Sequence, residues 1–265
     1  MTQPVAENGT PPTILETRDV VKIYGGGQNP TRALNGIGFT VAAGEFVGVM
    51  GASGSGKTTL LNCVSTIDTV TSGHILIDGQ DITQLRQKDL ARFRRQSLGF
   101  VFQDFNLLDT LTGRENIALA LTILRRPPRE VDRRVEAVAA VLGIEPVLDK
   151  FPYQMSGGQR QRVASARAIV TEPALVLADE PTGALDSKAA KDLLESFRLL
   201  VRQRSATILM VTHDAFAASH CDRILFIRDG QLFYQLVRGD QSRKVFFDQI
   251  MRVVGAMGGD PDDVG

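Results

Sequence analysis

The sequence predicts an α/β fold, a mainly parallel sheet connected by helices and split in its middle by a helical insertion. Three observations carry this expectation. Short runs that are apolar at nearly every position recur toward both ends of the chain: Phe46-Val47-Gly48-Val49-Met50, Leu175-Val176-Leu177-Ala178 and Ile208-Leu209-Met210-Val211. Such runs belong to strands covered on both faces. A helical pattern from Ala189 to Gln203 separates the last two runs, which is the strand–helix–strand rhythm of a parallel sheet. From about Asp104 to Val170 that rhythm stops and the pattern is mostly helical.

The elements follow in chain order. From about Ile14 to Asp81 short apolar runs alternate with turns, and His74-Ile75-Leu76-Ile77 before Asp78-Gly79 reads as a strand entering a hairpin. Phe46 to Met50 feeds directly into a glycine-rich loop and a helix. In the middle stretch, the charged segment Arg125 to Arg134 is interrupted by Pro127-Pro128 and overlaps the apolar-periodic Val131 to Leu142. Asp229-Gly230, between Ile224-Leu225-Phe226-Ile227 and Leu232-Phe233-Tyr234, signals a late hairpin. Met1 to Pro12 is expected to be a frayed polar leader and no signal peptide, and Gly255 to Gly265 a loose Gly- and Asp-rich tail.

Composition narrows the function classes. A length of 265 residues suits one large domain or two small ones, and 43% hydrophobic with 23% charged residues excludes bulk disorder. Thirty Lys+Arg balance thirty Asp+Glu, so the chain lacks the excess positive charge of a nucleic-acid coat, and no nucleic-acid partner is expected. Cys63 and Cys221 cannot make a disulfide framework, which fits a reducing compartment. The longest nearly apolar stretch, Ile117 to Leu124, is far short of the roughly 20 residues of a spanning helix.

Gly51-Ala52-Ser53-Gly54-Ser55-Gly56-Lys57-Thr58 matches G-x-x-x-x-G-K-[ST] in full. Glycines let backbone N–H groups converge on phosphate oxygens, and the following helix turns its positive end toward the anion. Lys57 reaches β- and γ-phosphates in this pattern, and the Thr58 hydroxyl can ligate Mg²⁺. A plain Gly/Ser connector would not sit between a buried strand and an apolar helix start. The nucleotide-binding set is Gly51, Ser53, Gly54, Ser55, Gly56, Lys57, Thr58 and Thr59. A second strand, Leu175 to Ala178, ends in Asp179-Glu180. Alone this is equally an ordinary polar strand exit. Paired with the phosphate loop, it reads as Asp179 for Mg²⁺ and Glu180 as the group that polarises an attacking water. Met155-Ser156-Gly157-Gly158-Gln159 opens a further helix, running through Val170, with Ser156 as N-cap. It is a second anion-receptive helix start, which suggests that each nucleotide is held across a two-fold dimer.

These motifs together resemble the ATP-binding subunits of ABC transporters, whose signature is Leu-Ser-Gly-Gly-Gln; Met155 replaces the leucine. The resemblance covers roughly residues 14 to 240. It implies a P-loop NTPase (RecA-like) core at 14–103 and 171–240 that includes an antiparallel β subdomain. It also implies a helical signature subdomain at 104–170, a flexible leader at 1–13 and a C-terminal extension at 241–265. By the same resemblance Tyr24 stacks on adenine, Gln103 touches Mg²⁺ or the attacking water, and His213 contacts the γ-phosphate. Ser156, Gly157, Gly158 and Gln159 face the partner's nucleotide, and Ala184-Leu185-Asp186 crosses the dimer interface, with Gly183 where many relatives have Ser or Asn. His74 and His220 are expected only to pack or face solvent.

The finer resemblance is to the macrolide-export and lipoprotein-release group, and within it to bacitracin-resistance peptide-detoxification transporters. It rests on Phe105-Asn106-Leu107-Leu108-Asp109-Thr110-Leu111-Thr112, Glu115-Asn116-Ile117, Gly183 to Lys188, and Phe246-Phe247-Asp248-Gln249-Ile250-Met251. It implies ATP and Mg²⁺ as cofactors and a second copy of the chain as partner. It further implies an integral-membrane permease, with a sensor histidine kinase reached through it, and a cytoplasmic place on the inner face of the membrane. Phe105, Leu107 and Leu108 are candidates for the permease contact, or else pack inside the helical insertion. Lipoprotein extraction or macrolide efflux is the rival reading within the class. A soluble ABC-type ATPase of translation or DNA repair is the rival outside it.

Overall fold

A computed structural model describes residues 11–25 and 30–258 of the chain. It opens with two long strands, β1 (Thr13–Tyr24) and β2 (Thr31–Ala42), then β3 (Phe46–Met50), α1 (Lys57–Val64), β4 (Ser72–Ile77) and β5 (Gln80–Asp81). Next come α2 (Gln87–Ser97), β6 (Leu98–Val101), α3 (Gly113–Ile123), α4 (Pro128–Leu142) and α5 (Gly157–Ile169). The chain finishes with β7 (Leu175–Asp179), α6 (Ser187–Arg204), β8 (Ile208–Val211), α7 (Ala215–Ala218), β9 (Arg223–Arg228), β10 (Gln231–Val237) and α8 (Arg243–Gly258).

The strands form two sheets. One is antiparallel with the order β2-β1-β4-β5; the other runs β10-β9-β3-β8-β7-β6. In the second, β3 pairs in parallel with β8 and β9, and β7 with β6 and β8, while β10 returns antiparallel to β9. All five residues of β3 are buried, as are all four of β8, which is why these strands show no polar alternation. Their side chains divide between two cores. Phe46, Met50, Ala178, Met210 and Phe226 face the helical side with α3 to α8, whereas Val47, Val49, Leu177, Leu209 and Val211 face α1 and the antiparallel sheet.

Local chemistry sets the helix ends. Thr112 and Glu115 close a capping box on α3, Pro128 stands at the first turn of α4, and Gly143 ends α4 with a φ of 60°. α5 ends at Ile169 with Val170 as its C-cap, and α6 begins at Ser187, two residues before the sequence pattern does. The expected loose tail is helical as far as Gly258, because Phe246 and Ile250 dock α8 in the core. The rest of that tail, residues 259–265, and residues 1–10 of the expected leader lie outside the described residues. Among the described residues no helix is long and apolar enough to cross a membrane.

Candidate functional site

β3 delivers the chain to Gly51 at the sheet's carboxyl edge, where the loop closes on Lys57. The Lys57 ammonium is buried and donates to the carbonyls of Gly51 and Ala52, both at 2.8 Å. Burial lowers its pKa, opposed by the carboxylates of Glu180 and Asp179. Gly56 precedes α1 with a φ of 104°, and a Cβ there would lie 2.5 Å from the Ala33 carbonyl oxygen, so only glycine fits. No side chain caps α1 and no acidic residue stands in its first turn. Its first N–H groups therefore remain available to an anion.

β7 and β8 end beside this loop. Asp179 closes β7, and burial and the neighbouring Glu180 raise its pKa, with Lys57 acting the other way. Its carboxylate accepts no hydrogen bond and joins no ion pair among the described residues. Glu180 has a φ of 45°, a left-handed backbone that a glutamate adopts at a cost of about 1–3 kcal/mol. Its Oε1 accepts from the His213 backbone N–H at 3.1 Å and lies 2.8 Å from His213 Nδ1. The structure thus brings Lys57, Asp179, Glu180 and His213 to one edge. Gln103 lies just beyond β6, and a Cβ on Gly183 would be 2.9 Å from its Cδ.

Tyr24, at the end of β1, is 40% exposed. Its hydroxyl donates to Asp68 Oδ2 at 2.7 Å, and Lys22 Nζ, 4.8 Å from the ring centroid, donates to Asp68 Oδ1 at 2.6 Å. Sequence reading missed Lys22 and Asp68, because nothing local marks a contact 44 residues away.

The signature forms a separate cluster. Ser156 Oγ accepts from Gln159 N at 3.2 Å and Gln159 Oε1 from Ser156 N at 2.9 Å, a capping box. Asp186 caps α6 by accepting from Ala189 N at 2.8 Å. A Cβ on Gly157 would lie 3.7 Å from Leu185 and 3.8 Å from Phe105. Among the described residues no hydrogen bond joins Ser156–Gln159 to the phosphate loop. Gln161, which the sequence gives no role of its own, ties this helix to both neighbours by donating to the carbonyls of Phe102 at 2.9 Å and Pro181 at 2.7 Å.

Phe105 and Leu107 are half-buried in the helical insertion. The Phe105 ring lies 4.8 Å from the Arg160 guanidinium, and Leu107 packs on the helical core, leaving Leu108 exposed. Left-handed backbone at Phe105 and Asn106, with φ of 58° and 51°, makes this turn, and Arg167 donates to both their carbonyls. The open apolar groove is instead lined by Leu98, Phe100, Phe102, Leu119 and Ile123 and holds about 400 Å³. Its trace in the sequence is the spacing Phe100-x-Phe102 at the end of β6. His74 is exposed beside Asp81 at 2.8 Å, while His220 is buried.

This geometry fits a nucleoside triphosphate with a hard divalent cation. The loop offers uncapped N–H donors and a buried ammonium, and the Asp179 carboxylate waits without a protein partner. Residues 34–183 match the ABC transporter family model. The bacitracin export ATP-binding protein BceA of Halalkalibacterium halodurans is 52% identical, over 94% of this chain and 99% of that one. The lipoprotein-releasing system ATP-binding protein LolD 2 of Chlorobaculum tepidum is 44% identical, over 83% of this chain and 91% of that one. Among solved structures, a dimeric post-hydrolysis ATP-binding cassette bound to ADP and Pi matches with a TM-score of 0.75 at 36% identity, covering 84% of this chain and 98% of that one.

Proposed function

Because this chain belongs to the ABC transporter family, we propose that it is the ATP-hydrolysing subunit of a transporter that removes or exports cell-wall-targeting peptides such as bacitracin. That it binds ATP with Mg²⁺ and is an ATP hydrolase follows from the family itself. The observation that carries the chemistry is the Glu180 carboxylate held by His213 at the same edge as Lys57.

Each residue has a part in this reading. Lys57 exchanges the Gly51 and Ala52 carbonyls for phosphate oxygens, and the α1 N–H groups take the remaining charge. Thr58, Gln103 and Asp179 would hold Mg²⁺, which when bound neutralises negative charge on the phosphates. Glu180 orients a water and accepts its proton, and His213 fixes the carboxylate for that task. Tyr24 offers its exposed ring to the base, and Asp68 fixes the ring's plane.

The separation of Ser156–Gln159 from the phosphate loop supports a head-to-tail dimer. There each nucleotide lies between one chain's loop and its partner's signature, with Asp186 at the crossing. A membrane permease is the second partner, a sensor histidine kinase the third, and the inner membrane face the location. The Phe100–Phe102 groove suits a permease helix better than Phe105 or Leu107 does. The domain division goes with this reading: core at 14–103 and 171–240, signature insertion at 104–170, extension at 241–265.

Bacitracin is favoured over lipoprotein release because identity is higher and coverage fuller with the bacitracin relative. The test is growth inhibition by bacitracin in a host carrying this chain with its permease, compared with a Glu180→Gln host. Protection by the wild type alone is expected. Failure of both to protect, with ATP hydrolysis by the wild type intact, would remove the peptide substrate and leave the ATPase.

A further inference from the structure

The nucleotide reading leaves unused a cavity of about 360 Å³ at the other end of β3. It is lined by Arg198 and Arg202 of α6, Arg238 beyond β10 and Arg243, the first residue of α8, with His220 and Glu195 beside them. Four guanidinium groups converge here from three parts of the chain. Compensating carboxylate is scarce. Asp222 alone pairs with Arg198, and its same Oδ1 also lies 3.4 Å from Arg238. The Arg198 and Arg238 side chains are only 15% and 16% exposed, so their repulsion is poorly screened by water. Arg202 and Arg243 have no ion pair among the described residues. Glu195 is turned to Lys191 at 3.8 Å. Arg243 spends one N–H on His220 Nε2 at 2.7 Å, and His220 Nδ1 in turn donates to the Phe216 carbonyl at 3.0 Å. The imidazole is therefore neutral and offers no acceptor to the cavity.

Four guanidinium groups facing only the Asp222 and Glu195 carboxylates leave an excess of positive charge, complementary to an oxyanion of more than one charge. Guanidinium groups grip such oxygens in pairs. We propose that this cavity binds a phosphate or diphosphate group, carried by a free solute or by a lipid headgroup, as a site separate from the phosphate loop. Asp222 ties the cavity to the start of β3: its Oδ2 accepts from Phe46 N at 3.1 Å, and β3 leads directly to Gly51.

The probe is radiolabelled pyrophosphate, followed by equilibrium dialysis on the full chain in EDTA. The wild type is expected to show a second class of site besides the phosphate loop. Arg202→Gln should weaken that class about tenfold or more, as for one lost charged hydrogen bond, and Arg202→Gln/Arg243→Gln should abolish it. Neither change should alter basal ATP hydrolysis. Arg202 is exposed and unpaired, so the single variant remains informative if the double variant folds poorly. In parallel, flotation with phosphatidylcholine vesicles, with and without phosphatidic acid, identifies the carrier. Loss of anionic-vesicle binding in the variants points to a headgroup, and loss of pyrophosphate binding alone points to a free solute. Equal binding of both probes by wild type and variants would overturn the proposal.

Discussion

Glu180 and His213 are joined twice: the carboxylate Oε1 accepts from the His213 backbone N–H at 3.1 Å and lies 2.8 Å from the ring Nδ1. The link crosses between the ends of β7 and β8 and holds a glutamate whose own backbone is left-handed, with a φ of 45°. A carboxylate so placed is committed to one position. Glu180→Gln is expected to lower ATP turnover by about 10²–10⁴ while nucleotide binding persists, the range for loss of a general base. His213→Ala should cost less, because the carboxylate stays but loses its orientation. Steady-state hydrolysis and fluorescent-nucleotide titration check both, and near-normal turnover of Glu180→Gln would exclude its role.

Asp179 is a carboxylate that burial and Glu180 drive toward the protonated form. An acid whose folded pKa is raised above its unfolded value costs stability that sets in as the pH rises past the unfolded value and is complete above the folded one. Asp179→Asn should therefore melt higher than the wild type without ligand, by roughly a few degrees. With Mg²⁺ and ATP the order should reverse, since the variant loses the cation-dependent stabilisation. Thermal melts in the two conditions decide this. A variant that melts lower in both would contradict it.

Tyr24 depends on residues outside its own strand. Asp68→Asn leaves the ring in place but weakens its anchor and frees Lys22. The expected result is a several-fold rise in KM for ATP with kcat unchanged. A fall in kcat at constant KM would show that Asp68 acts elsewhere.

His220 gives an acid-side signature. Burial lowers its pKa from 6.5 to about 4, helped by Arg243 and Arg198 and opposed by the Phe216 carbonyl and Glu195. A histidine with a depressed folded pKa contributes stability in full above 6.5, and that stability drains as the pH falls toward 4. The loss is on the order of 3 kcal/mol. Denaturant melts across this window should show a flatter slope for His220→Gln. An unchanged slope would show that His220 does not govern stability in this window.

The parts of this molecule legible in its sequence are those where chemistry sits at fixed spacing along a short segment. The phosphate loop, Asp179-Glu180 and Ser156 to Gln159 could be read because neighbouring residues share one strand end or helix start. Contacts between distant segments left no such trace. Asp68 meets Tyr24 across 44 residues, and Gln161 reaches Phe102 across 59. Two consecutive left-handed residues, Phe105 and Asn106, turn the chain and lay the half-buried Leu107 against the core. No composition rule marks a phenylalanine for that conformation. The helical end at Gly258 also escaped the sequence, since the Gly and Asp residues that follow suggest a loose tail while Phe246 and Ile250 anchor the helix.

If two chains complete each other's nucleotide sites, Glu180→Gln should dimerise when Mg²⁺ and ATP are added, which sedimentation measures. The expected result is a dimer that reverts to monomer when Ser156→Arg is added, although the double variant still binds nucleotide through its own intact loop. A monomer throughout, or a dimer indifferent to Ser156→Arg, would contradict it.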